Sequence, residues 1–214
     1  MSDGLLKLVL PSEARLVAFA DDVAVVIVAK HLKEINFIFD ETFAKIRRWM
    51  ESVGLKLAEH KTEAVLITSR KKVETITLRV GDYELTSQPF IRYLGVIDTR
   101  LSFKQQAEHV STKASEVRAV LSRLMPNVGG PKQRRRALLA SVVTSVLTYG
   151  IAIWTDALQT QKSRRKVAPV YRLSALRVTS AYRTMSEDAV YVIAGMLPIK
   201  VLAEERKFLY RRRG

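Results

Sequence analysis

Apolar residues stand at Phe103, Ala107, Val110, Ala114, Val117, Leu121 and Leu124. Steps that alternate between four and three become one continuous face only on an α-helix, and that face must be laid against something. Three heptads with Ala at two positions favour an ordinary core stripe over a coiled-coil seam between chains. Downstream, Pro126, Gly129, Gly130 and Pro131 break the chain, after which a second helix is predicted from Lys132 to Trp154 and a basic one around Ser163 to Tyr182. Everything after residue 99 therefore reads as helical.

Upstream the period changes. Leu5 to Leu10, Leu16 to Phe19 and Val23 to Ala29 read as strands, the last two joined by Ala20-Asp21-Asp22, a hairpin signature without the Gly that would strengthen it. Leu32, Ile35, Phe39, Phe43, Ile46, Met50 and Val53 recur at helical spacing, and Gly54 follows where a left-handed cap is least costly. Ala64 to Thr68 reads as a strand. So do Ile76 to Val80 and Tyr83 to Thr86, paired about Gly81-Asp82, and Ile91 to Leu94. The fold class expected is α+β, with antiparallel strands and one helix over 1–99 and an all-α region over 100–214.

Charge divides at the same place. Of 36 Lys and Arg and 21 Asp and Glu, residues 1–99 hold fourteen of each, whereas residues 100–214 hold twenty-two cations and seven anions. The whole net charge of +15 thus lies in the helical half. It gathers at Arg134, Arg135 and Arg136, at Lys162, Arg164, Arg165 and Lys166, and at Arg211 to Arg213, with Arg172, Arg177 and Arg183 between. One such cluster reads as a solvated helix face. Three in one half imply a polyanionic partner, nucleic acid or an acidic lipid face.

Several classes are excluded. No Cys is present, so neither a disulfide framework nor a thiolate metal site can form, and three scattered His cannot build a zinc site. The first ten residues include Asp3 and lack the basic lead and cleavage pattern of a secretory signal, so an intracellular protein, nuclear or cytoplasmic, is expected. Residues 137–155 carry no charge, the usual trigger for a membrane span. Seven of those nineteen places are Ser, Thr, Tyr or Gly, which favours a helix buried by its neighbours, with no membrane partner.

Asp21 and Asp22 are the candidate site. Two carboxylates at a hairpin tip repel each other unless solvent or a cation intervenes, and Mg, which takes hard oxygen ligands, is the natural occupant. Paired metal ions support nucleotidyl transfer. By itself the pair also fits an exposed turn with two acids. Its surroundings extend the pattern: Phe19-Ala20-Asp21-Asp22 followed by Val23 to Val28 resembles the aromatic-x-Asp-Asp motif of reverse transcriptases. Gly54-Leu55-Lys56-Leu57 with Lys61-Thr62-Glu63 looks like the next palm motif, and Tyr93-Leu94-Gly95-Val96 like the primer grip. Leu176-Arg177-Val178, Ala181 to Thr184 and Ala194 to Pro198 are similar to the helical region behind the polymerase in jockey-like, LINE-type non-LTR retrotransposons. The resemblance covers essentially the whole chain.

That resemblance implies a partial polymerase palm followed by a basic thumb-like region. It implies Asp21 and Asp22 as Mg-binding catalytic carboxylates, with Asp21 the more direct. Lys61 would lie near the triphosphate, though a solvated Lys between helix and strand is the alternative. Tyr93, Leu94 and Gly95 would lie under the primer backbone, or form a buried strand with a Gly bulge. Arg134, Arg135, Arg136, Arg164, Arg165 and Lys166 would neutralise the phosphates of an RNA template and DNA primer. The family's other essential Asp, which sits on an upstream strand, has no counterpart. Only Asp3 and Glu13 precede Phe19 as acids, and neither carries the surrounding pattern. The expectation is a C-terminal fragment of an RNA-directed DNA polymerase, inactive by itself. The alternative is a non-catalytic, basic nucleic-acid-binding module.

Overall fold

A computed structural model describes residues 2–68, 74–98 and 102–213. The fold is α+β, and the chain divides into two compact units, Met1–Leu94 and Gly95–Gly214.

The first unit runs α1 (Ser2–Leu6), β1 (Ala14–Phe19), β2 (Asp22–Ile27), α2 (Leu32–Ser52), a 3-10 turn (Glu59–Lys61), β3 (Thr77–Val80), β4 (Tyr83–Thr86) and β5 (Ile91–Tyr93). β1 and β2 form an antiparallel hairpin in which Ala14 faces Ile27 and Phe19 faces Asp22. The register gives the hairpin two faces. Ala14, Leu16 and Ala18 share one with Val25 and Ile27, while Val17 and Phe19 on the other are exposed. β3 and β4 repeat the motif, with Arg79 opposite Glu84. Strand pairs of this size are marginal alone, and α2 supplies the packing surface through Ile38, Thr42 and Ile46. Its Phe39 and Phe43 rings stack 5.6 Å apart. The Glu34 carboxylate accepts from the backbone N–H groups of Lys30 and His31, closing the N-terminus of α2. At the other end Gly54 has φ 71, the left-handed cap the sequence indicated.

Two strands read from the sequence do not form. Leu5 and Leu6 lie in α1, Leu5 buried and Leu6 exposed, and Pro11, lacking an N–H, stops any ladder beyond. Between 64 and 68 no strand forms among the described residues, and Val65 makes an isolated parallel bridge to Gln88.

The second unit begins with β6 (Val96–Asp98) and continues as α3 (Lys104–Arg123), α4 (Gln133–Leu147), α5 (Ile151–Trp154), a 3-10 turn (Thr155–Gln159), α6 (Gln161–Thr179), α7 (Glu187–Ala194) and α8 (Ile199–Arg213). The seam of α3 is an internal core stripe. Ala107, Val110 and Ala114 are buried and join Val143 and Leu147 of α4, Val167, Tyr171 and Ala175 of α6, and Val190 and Tyr191 of α7. Small Ala side chains let α4 and α6 approach α3 closely. The helix read as continuous from Lys132 to Trp154 is broken in two, because Gly150 adopts φ 60 and ends the run begun by α4. No single helix among the described residues is long and apolar enough to cross a membrane, although α4 and the segment from Ile151 to Gln159 pass that test as a pair bent by 55°.

Buried phenols tie the core together. The Tyr171 hydroxyl donates to the Leu197 carbonyl at 2.9 Å, and burial pushes its pKa up to about 12. Tyr191 donates to Glu187 at 3.0 Å, and burial, reinforced by that carboxylate, raises it further. Both stay neutral through the physiological range and act as fixed donors.

Candidate functional site

The turn joining β1 to β2 consists of Ala20 and Asp21, and Ala20 has φ 55. The turn joining β3 to β4 is its twin, with φ 61 at the equivalent position, but there the residue is Gly81. A positive φ at the first turn residue matches the twist of the flanking strands and suits Gly, whereas a residue with a Cβ is strained there. Ala20→Gly is accordingly expected to stabilise the first unit by about 1 kcal/mol, read as a higher denaturation midpoint. An unchanged or lower midpoint would show that Ala20 is not strained. Strained backbone persists where the surrounding structure over-determines it, and such places concentrate at functional sites.

The strained turn holds both aspartates outward. Asp21 occupies the second turn position and Asp22 opens β2; both are exposed, next to a Phe19 ring that is 64% exposed. Two adjacent carboxylates in solvent suit a hard cation. Mg binds through one or two carboxylates while keeping waters and taking substrate phosphates for the rest of its shell, so the donor set fits as a partial one. Among the described residues no group of three acidic or histidine side chains forms that could complete it.

Lys61 ends the 3-10 turn after α2 and is exposed. Among the described residues no hydrogen bond or ion pair joins it to either aspartate. Tyr93 closes β5 half-buried, its hydroxyl buried and without a hydrogen-bond partner among the described residues. Leu94 and Gly95 have φ 48 and 77, a tight turn rather than a strand bulge. A Cβ on Gly95 would lie 3.0 Å from the Tyr149 ring, so the close approach this Gly permits is to protein.

The basic residues separate into different roles. Arg134 and Arg135 are exposed on the first turn of α4, and Arg164 and Arg165 on α6; none makes a side-chain hydrogen bond or ion pair among the described residues. Lys166 is engaged with Glu108 of α3, and this bond holds the Glu108 carboxyl below its ordinary pKa. Arg136 is a correction to the sequence reading. It is 3% exposed, and its guanidinium donates to the carbonyls of Pro131 at 2.7 Å, Pro126 at 2.5 Å, and Met125 and Arg177, both at 3.2 Å. A helix face buries every third or fourth residue, so the third Arg of the run turns inward and clamps the α3–α4 loop instead of facing phosphate.

Sequence reasoning also missed Arg172, Arg177 and Arg206 as structural donors. Arg172 bonds the carbonyls of Arg183 and Met185, Arg177 the Asn127 side chain, and Arg206 the Thr148 side chain. Their placement depends on which helix ends meet, which spacing alone does not give.

The hairpin tip and the basic helical unit carry the residues on which the reverse-transcriptase resemblance rests, and the comparisons support a reverse-transcriptase-related region. The comparisons make the class specific. The chain is 26% identical over 203 residues to a retrovirus-related Pol polyprotein from type-1 retrotransposable element R1 of Nasonia vitripennis, covering 92% of this chain and 60% of that protein. A second R1 Pol polyprotein of the same organism, R1 2, is 23% identical over 99% of this chain and 53% of its own length. An R1 Pol polyprotein of Bradysia coprophila is 21% identical over 91% of this chain and 20% of its own. This is a non-LTR retrotransposon-derived protein, related to the Pol polyproteins of R1 elements. It spans a fifth to three fifths of the length of these relatives. No family model and no solved structure matches it.

Proposed function

We propose that the chain is part of an RNA-directed DNA polymerase acting on an RNA template and DNA primer, and that Asp21 and Asp22 are its catalytic carboxylates. The observation that carries this reading is the hairpin tip, where a strained Ala20 presents two adjacent, exposed aspartates beside Phe19. Asp21 and Asp22 would hold Mg, which when bound polarises a primer hydroxyl and neutralises phosphate charge. Lys61, exposed and without an ion pair among the described residues, is suited to meet the triphosphate as a cation. The exposed arginines of the second unit would balance the charge of the nucleic-acid backbone.

Among the described residues the donor set is short of a third carboxylate, so the chain alone is expected to give no extension of a DNA primer on an RNA template with Mg and deoxynucleotides. Mixing it with the remaining portion of an R1 Pol polyprotein is expected to give extension that Asp21→Ala abolishes. Extension that survives Asp21→Ala would overturn the assignment of the aspartates. Extension by the chain alone would overturn the reading of an incomplete site.

The charge division favours one second reading, a non-catalytic nucleic-acid-binding module. On that reading binding survives Asp21→Ala and no complementing portion restores extension.

A further inference from the structure

A helix on the surface of a globular domain carries charged and polar side chains on its outer face. The face that α4 turns to solvent departs from this. Residues 137–155 contain no charged side chain, yet Leu138, Ser141, Val142, Ser145 and Tyr149 within that stretch are exposed, Leu138 by 71% and Tyr149 by 54%. With Arg134, one turn before Leu138, they fall on a stripe about 100° wide, since each residue advances a helix by about 100°. The hydroxyls of Ser141 and Ser145 do not make this stripe polar. Ser141 donates to the Leu138 carbonyl at 2.7 Å and Ser145 to the Ser141 carbonyl at 2.9 Å, both on their own helix. What the stripe offers a partner is mostly carbon, with a cation at one end and an aromatic ring at the other.

The spacing along the stripe is the same read from either end: steps of 4, 3, 1, 3 and 4 lead from Arg134 through Leu138, Ser141, Val142 and Ser145 to Tyr149. A twofold axis between Ser141 and Val142 therefore maps the stripe onto itself. We propose that the outer face of α4 is an interface between two copies of this chain, their α4 helices lying antiparallel. In a twofold contact residue i meets residue j and j meets i. Leu138 then meets Ser145 of the second copy, Ser141 meets Val142, and the Arg134 guanidinium meets the Tyr149 ring. Large faces small at both central layers, which lets the side chains interdigitate, and a guanidinium is attracted to the negative face of a tyrosine ring. Any apolar helix could cover an apolar stripe, but only a second copy matches a palindromic spacing. The 15 residues of α4 span about 22 Å. One helix pair of that length buries less than the roughly 800 Å² per partner of a standard stable complex, so the dimer is reversible and its population depends on concentration. It needs neither Mg nor nucleic acid.

The chain has no Cys, so one introduced thiol reports on one position. Ser141→Cys in the full chain, mildly oxidised without nucleic acid, is expected to give a disulfide-linked dimer, because residue 141 lies beside the axis. Leu138→Cys alone is expected to stay unlinked, its two copies standing about 10 Å apart along the helices, beyond the reach of a disulfide. Leu138→Cys mixed with Ser145→Cys should link. Self-linking of Leu138→Cys as readily as Ser141→Cys would signal a parallel pair or random collision and overturn the arrangement, as would failure of the mixture to link. Sedimentation of the unsubstituted chain should shift from monomer to dimer as concentration rises to on the order of 100 μM. Leu138→Glu, at an exposed position, should hold the chain monomeric with its circular dichroism unchanged. A dimer that survives Leu138→Glu would overturn the choice of face. A chain monomeric at every concentration would overturn the second copy as the occupant and leave the stripe to another segment of a longer polyprotein.

Discussion

Replacing Arg136 by Ala is expected to destabilise the helical unit by about 3 kcal/mol or more, since hydrogen bonds from a charged donor contribute about 1.5–3 kcal/mol each before relaxation. The guanidinium bonds four carbonyls belonging to three stretches of chain: Met125 and Pro126 after α3, Pro131 before α4, and Arg177 near the end of α6. Without it, carbonyls directed at the guanidinium lose their donors in a place water reaches poorly, and each such loss costs about 1–3 kcal/mol before relaxation. Arg136→Lys should fail almost as badly. An ammonium is a compact point charge and cannot span the fork that reaches those carbonyls together. Denaturation followed by Trp154 fluorescence in a Trp49→Phe background reads the second unit alone, since the chain has only two Trp. If Arg136→Lys keeps the parent midpoint, the clamp is not what holds this joint. Gly130 belongs to the same construction: a Cβ there would lie 2.2 Å from the Pro126 carbonyl and 2.4 Å from the Arg136 guanidinium. The Gly between the two prolines is therefore a packing requirement as well as a helix stop.

The period of the sequence carried most of the fold. Helices α2, α3 and α6 and the hairpins β1–β2 and β3–β4 were legible because each has an apolar stripe or alternation with a turn residue at its end. The failures share a cause. Leu5 to Leu10 and Ala64 to Thr68 are apolar runs whose identity as strands depends on a partner, and among the described residues the structure supplies one bridge, at Val65. Gly150 was read through as helix because an isolated Gly is tolerated in one; here φ 60, and a Val96 methyl that would sit 2.9 Å from its Cβ, make it a break. Of the site, Asp21 and Asp22 were legible through the motif around them, and the turn that presents them was legible through the strands. The positive φ at Ala20 was not, since Ala gives no signal for it. The basic clusters were legible as charge but not as roles. Arg134, Arg135 and Arg136 are equivalent in sequence, and only the helix phase against α6 decides that the third is interior.

Trp154→Ala is the second large effect, expected to cost about 3–5 kcal/mol. The indole is fully buried in the core of the second unit, and its Nε1 donates to the Tyr149 carbonyl at 2.9 Å, pinning the chain across Gly150. Trp154→Phe keeps most of the apolar volume but leaves that carbonyl without its donor, so a loss of about 1–2 kcal/mol is expected. The difference between the two variants separates packing from hydrogen bonding. A consequence reaches the candidate site. Tyr149 is the residue whose ring lies over Gly95, and Val96 lies against Gly150, so the indole fixes a platform under Gly95 and Val96 at the start of the second unit. Amide exchange at Ile97, whose N–H is held by the Gln106 side chain at 2.9 Å, reports on that platform. Trp154→Ala should speed exchange at Ile97 beyond what the global loss of stability accounts for, while Trp154→Phe should move it less. Exchange that tracks global stability alone would show that Gly95 and Val96 are positioned independently of the core. In that case Gly95 and Val96 would owe their geometry to local backbone preference, and Tyr149→Ala would leave it intact.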